Sequence, residues 1–212
     1  TIKDDRNKMI VSVRDQKMLL VKDGKPVKAY KISTSKFGIG DRPGSNCTPL
    51  GRMEVAKKIG ENAKPGTVFK SRRPTGEVLK PNAPGRDPIV SRILWLSGTE
   101  AGNKNAYRRF IYIHGTPEER RLGTPASYGC IRMGHKDVVD LYNRIGSGAE
   151  VQVIRGALGE TAAGPVAELV ATVQAHVLER TELAVVAPHD HHRVVADRVL
   201  EEVAGVGHVV DA

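Results

Sequence analysis

Aromatic side chains are scarce: three Phe, one Trp and five Tyr, 4% of 212 residues. So thin a supply argues against a protein that stacks bases on rings, and no recognised nucleic-acid-binding motif is present, so no nucleic-acid partner is expected. Cysteine is scarcer, with only Cys47 and Cys130. Two cysteines make at most one bridge, and no Cys-x-x-Cys pair supplies half of a zinc site, so neither a metal nor any other cofactor is expected. No apolar run approaches the ~18 residues that a membrane-crossing helix needs. No leader peptide is visible, yet the chain opens on Thr1 rather than Met, as a mature segment would. There is no internal repeat.

What is present is a soluble composition, 40% hydrophobic and 27% charged, with a net charge of +9. The charge is unevenly spread. Residues 160–212 hold 3 basic and 9 acidic side chains, a net of −6, while residues 1–159 carry 30 basic and 15 acidic, a net of +15. A basic body attracts polyanions, among them anionic lipid and anionic cell-wall polymer. The same charge also serves as a merely soluble surface.

The pattern predicts a mainly β body. Runs 8–15, 17–24 and 25–34 alternate apolar and polar residues, and Asp23-Gly24 marks a tight hairpin turn, so a β-meander is expected. Residues 37–51 read as a Gly/Pro loop, 52–59 as a strand, 60–88 as an irregular excursion, 88–98 and 108–115 as strands. Val138, Val139, Leu141, Tyr142 and Ile145 fall at helical spacing, which predicts one helix over 134–146, and 149–156 closes the body as a strand. From 158 the chain turns Ala/Val-rich and acidic. Val166, Leu169, Val170, Val173 and Val177 predict an amphipathic helix over 164–180, followed by a strand, a second helix over 191–204 and a last short strand. Two domains are expected, 1–157 and an appendage 158–212. The appendage is helical or α/β and offers an apolar stripe through which the chain could form oligomers.

Two residues invite chemistry. His114 ends a strand, and Cys130 follows sixteen positions later in "SYGCIRM" (127–133). An imidazole can take the proton of a thiol, and a helix N-terminus just beyond would favour the thiolate. Gly129 permits a sharp turn whose backbone N–H groups can form an oxyanion hole. On these two residues alone, a buried inert cysteine and an unrelated histidine are the better reading.

The surroundings decide. "IYIHGTPEERRLGTPASYGCIRM" (111–133) closely resembles the signature of the L,D-transpeptidase catalytic domain, the YkuD-like family: a His at a strand end, a spacer of about fifteen residues, then Ser/Thr-x-Gly-Cys-aliphatic-Arg/Asn. "NCTPLGRMEV" (46–55) resembles the upstream segment of that family, and the likeness covers roughly 8–155. Where many members have His before the glycine, this chain has Tyr128. The resemblance implies a β-sandwich or meander with one helix after the cysteine, and an enzyme that uses no cofactor. It implies Cys130 as nucleophile, His114 as base and then acid, and the Gly115 carbonyl as the group that holds the ring. Ser127, Tyr128, Gly129 and Arg132 would form the substrate and oxyanion side, with Arg132 on a substrate carboxylate or, as the alternative, in a structural salt bridge.

The implied reaction is attack on a peptidoglycan stem peptide after its third residue, then transfer of the acyl group to an amine. The amine belongs to another stem or to a protein lysine. Such work lies outside the cytoplasmic membrane, so export to the periplasm or cell envelope is expected. Water as acceptor would make a carboxypeptidase instead, and loss of chemistry would leave a cell-wall binding module. Cys47 is expected free, "HDHH" (189–192) a solvated turn, and 71–88 a substrate wall or a plain excursion.

Overall fold

A computed structural model describes residues 2–160. The expectations for the appendage, including both helices and the histidine run, lie outside these residues.

The opening meander forms as read: β1 (Asn7–Ser12), β2 (Lys17–Lys22) and β3 (Lys25–Ser33), joined antiparallel. Asp23 and Gly24 both take positive φ, 50° and 75°, the paired left-handed conformation that a two-residue hairpin turn demands. Next come β4 (Gly51–Ile59), β5 (Thr67–Lys70), β6 (Arg73–Val78) and β7 (Ile89–Gly98). The stretch 60–88, expected to be irregular, therefore contains a hairpin. Its prolines hid it: Pro74 sits in β6, whose residues are all exposed, a setting that tolerates a missing donor. β8 (Tyr112–Gly115) is shorter than expected, because 104–110 form turns instead.

A strand absent from the sequence reading, β9 (Ile131–Met133), separates Cys130 from α1 (His135–Arg144). β10 (Glu150–Ile154) completes the set.

The strands run in the order β4-β10-β1-β2-β3-β9-β8-β7, and β4 pairs again with β7, which closes the sheet on itself. β5 and β6 branch from the other end of β7. Two neighbour pairs are parallel, β1 with β10 and β8 with β9. Inside lie Met9, Met18, Leu20, Ile32, Met53, Leu94, Ile113 and Ile131, with Val138 and Leu141 of α1 packed against them. Leu158 is also buried, in a small cluster with Ile10, Leu19 and Val21, so the folded body runs at least that far.

Candidate active site

Register places the candidate residues. β8 and β9 are parallel, with Ile113 opposite Ile131 and His114 opposite Arg132. Both isoleucines face the core. Side chains alternate along a strand, so Tyr112 and His114 of β8, with Cys130 and Arg132 of the adjoining segment, share the other face. There Phe69, Ile93, Trp95 and Tyr112 form a second apolar cluster, and Cys130 packs against it.

Cys130 is held from two sides. Its sulfur accepts a hydrogen bond from the Tyr112 N–H at 3.3 Å and donates to the Phe110 carbonyl at 3.3 Å. Burial pushes the thiol up to about 11, against the lowering effect of the Tyr112 N–H and the charges of Arg132 and Arg109. The expectation of a thiolate favoured by a helix N-terminus does not hold. β9 intervenes, and the first turn of α1 instead receives Glu119, whose carboxylate accepts the His135 N–H at 2.8 Å.

His114 is buried, and its Nδ1 lies 2.7 Å from the Gly115 carbonyl oxygen. A carbonyl can only accept, so Nδ1 carries the proton and Nε2 is left as a free base. Burial drives the imidazole down to about 4; the Gly115 carbonyl and Asp87 pull it back up, and Arg132 pushes it lower. Gly115 has no room for a side chain, since a Cβ would run into the Val90 carbonyl.

The turn before the cysteine is tied at each residue. Ser127 is buried; its Oγ donates to the Cys130 carbonyl at 2.5 Å and accepts the Gly129 N–H at 3.2 Å. Thr48 Oγ1 donates to the Gly129 carbonyl at 2.9 Å and accepts the Ser35 N–H at 3.0 Å, so the 37–51 loop supports the turn. Gly129 has φ 122°, and a Cβ there would sit 3.2 Å from the Cys47 carbonyl oxygen. Tyr128 points away: it is 60% exposed, and its hydroxyl accepts from Lys36 at 3.0 Å, a contact that lowers its pKa. Cys47 is free, with its thiol on the Phe37 carbonyl at 3.3 Å.

Arg132 is buried and fully engaged. It meets Asp87 at 2.6 Å, Glu118 at 3.2 Å and the Ala126 carbonyl at 2.5 Å. Sequence reasoning missed those two carboxylates. It also missed Arg109, which pairs with Asp41 and donates to the Cys47 carbonyl at 2.7 Å, and Arg72, whose guanidinium lies over Trp95 and Phe110 at 5.0 and 5.3 Å. Asp87, Glu118 and Arg72 lie in irregular stretches with no spacing to mark them, and Arg109 lies in a turn within a run expected to be a strand. Among the described residues no cluster of His, Cys, Asp and Glu could hold a metal ion, and no helix is long and apolar enough to cross a membrane.

The class that the fold defines is a mainly β domain with a cysteine turn feeding a parallel strand and one helix behind it. The family model for the L,D-transpeptidase catalytic domain, YkuD, matches residues 6–153, and the chain belongs to that family. No curated protein matches the chain. Solved structures similar to it include L,D-transpeptidase 3 from Mycobacterium tuberculosis, 17% identical over 71% of this chain and 61% of that one, TM-score 0.47. An L,D-transpeptidase from Xylanimonas cellulosilytica is 16% identical over 73% of this chain and 63% of that one, TM-score 0.45. A variant of the Enterococcus faecium L,D-transpeptidase is 17% identical over 71% and 50%, TM-score 0.46. The chain thus spans between 50% and 63% of the length of these structures.

Proposed function

We propose that the protein is a peptidoglycan L,D-transpeptidase that works through Cys130. The observation that supports this most is the bond from His114 Nδ1 to the Gly115 carbonyl, which leaves Nε2 basic on the face shared with Cys130. Both groups rest neutral, so the proton moves as the sulfur attacks. His114 takes the thiol proton, the sulfur bonds to the carbonyl carbon of the third stem residue, and the bond from that carbon to the fourth residue's nitrogen breaks. His114 then gives that proton to the departing amine. An acceptor amine attacks the thioester, its proton passes to His114 and on to the sulfur, and the new amide leaves.

The Gly129 N–H is engaged by Ser127, so the oxyanion falls to the N–H of Cys130 and its neighbours. The Tyr112 N–H supports the sulfur as negative charge develops on it. Peptidoglycan carries carboxylates that suit the basic body, and the work lies in the cell envelope. The test is mass spectrometry of muropeptides incubated with the protein and with Cys130→Ala. A 3→3 cross-link made only by the former supports the reading; trimmed stems without cross-links would reassign the acceptor to water, and unchanged stems would sink it.

A further inference from the structure

Arg132, the residue expected to bind a substrate carboxylate, is buried and already holds Asp87 and Glu118. A different cation stands at the candidate site. Arg72 lies at the tip of the β5–β6 hairpin, and its guanidinium rests over the rings of Trp95 and Phe110. Its Nη1 lies 3.4 Å from the Tyr112 hydroxyl. Phe110 and Tyr112 are the two residues whose backbones hold the Cys130 sulfur. Among the described residues Arg72 has no carboxylate partner, whereas Glu77 of the same hairpin pairs with Arg86.

The backbone adds a second, independent observation. Lys70 pairs with Arg73, so Ser71 and Arg72 form a two-residue turn, with φ 49° and 66°. Glycine or asparagine fits such a turn at lower cost. A left-handed arginine there is a local rule broken, and such breaks concentrate where a side chain must be delivered to a site. Rings beneath a guanidinium cover its face and not its N–H edge, so the donors other than the Nη1 contact to Tyr112 stay available to carboxylate oxygens.

We propose that Arg72, seated on Trp95 and Phe110, is the carboxylate subsite of the donor peptide. This rests on the reading of Cys130 as the reacting thiol. A donor cleaved after its third residue carries a free carboxylate on the departing fourth residue, one residue from the reacting carbonyl. A diamino acid at the third position can carry another on its side chain. Both present the same chemistry, the first close to the reacting carbonyl and the second at the end of a longer side chain.

The test uses the full chain carrying Cys130→Ala, with donor binding measured by calorimetry, beside turnover by the chain with Cys130 intact. Three synthetic tetrapeptides serve as probes: both carboxylates free, the terminal one amidated, or the side-chain one amidated. Arg72→Gln should weaken the fully acidic donor about ten- to a hundredfold, the range of a lost hydrogen bond to a charged group. It should leave the peptide lacking the recognised carboxylate within about twofold, a bound set by ordinary surface substitutions. The amide that escapes the effect identifies the carboxylate. Arg72→Lys should fall between, since it keeps charge but loses the fork.

Equal loss on all three peptides, no loss on any, or no donor binding at all would overturn the proposal. Binding that depends on Arg72 without any turnover would keep the subsite and sink the transpeptidase reading; turnover with no Arg72 dependence would do the reverse.

Discussion

Arg132 on β9 and Asp87, just ahead of β7, meet at 2.6 Å beside the buried ring of His114, and Thr116 donates its hydroxyl to the same carboxylate at 2.5 Å. The ion pair ties the strand that follows Cys130 to the segment ahead of β7, and Thr116 ties that segment to the end of β8, the strand that carries His114. Arg132→Met should therefore cost on the order of 3 kcal/mol, because it strands Asp87 without its cation and leaves Glu118 only Arg121. Urea denaturation would measure it, and adding Asp87→Asn and Glu118→Gln should recover part of the loss. A cost below about 0.5 kcal/mol, the level of an ordinary surface change, would mean that the pair is solvated and idle.

Cys130→Ala should abolish turnover with an unchanged melting temperature, while Cys47→Ala keeps most activity. A carbapenem should add once, at Cys130, which intact mass and peptide mapping would show. An adduct on Cys47 would reverse the assignment of the two thiols.

Stability should fall on both sides of neutrality. The His114 imidazole drops from 6.5 to about 4 on folding, so the unfolded chain takes up a proton that the folded one refuses. Stability is complete above about 6.5 and declines as pH falls toward 4, by on the order of 3 kcal/mol. The Cys130 thiol rises from 9 to about 11, so stability is complete below 9 and declines as pH climbs toward 11. His114→Gln should flatten the acid limb, and Cys130→Ala the alkaline one. In the Cys47→Ala chain, read as a difference against the same chain with Cys130→Ala, thiolate absorbance at 240 nm should be absent at pH 7 and rise only near 11; a plateau by pH 8 would show a preformed ion pair instead.

The core sheet was legible because alternation is a strong signal: the meander, β4, β7, β10 and α1 all lie within a few residues of their expected places. β5, β6 and β9 were not. β6 carries Pro74 and Gly76 and buries nothing, so it has no apolar stripe to read. β9 is three residues long and all buried, too short to show a period. At the candidate site, His114 and Cys130 stood out through their motif. Asp87, Glu118, Arg109 and Arg72 did not, because their role depends on long-range approach that no local pattern encodes. Arg132 lay in the motif and a structural salt bridge there was an open alternative, but its partners Asp87 and Glu118 were invisible for the same reason.

Thr48→Val should lower stability by about 1–3 kcal/mol, since it unpairs the buried Ser35 N–H and Gly129 carbonyl together. If the loop positions the cysteine turn, turnover should drop more than donor affinity. An equal change in both would reduce Thr48 to a structural bond.

Removing residues 161–212 should leave a folded domain, because the ten strands among the described residues, α1 and the buried Leu158 precede the cut. Activity on a small soluble donor should persist, and a change seen only on whole sacculi at low salt would point to charge on the appendage. Loss on both substrates would place the appendage in the core or in a dimer interface.

A sheet that closes through β4 and β7 leaves few rims on which a stranger chain could template itself. β6 is such a rim, and it is poorly suited to that use. Pro74 offers no donor, Gly76 stiffens nothing, and Arg73 brings charge to its start. The branch that carries Arg72 outward is thus also guarded against amyloid-like stacking.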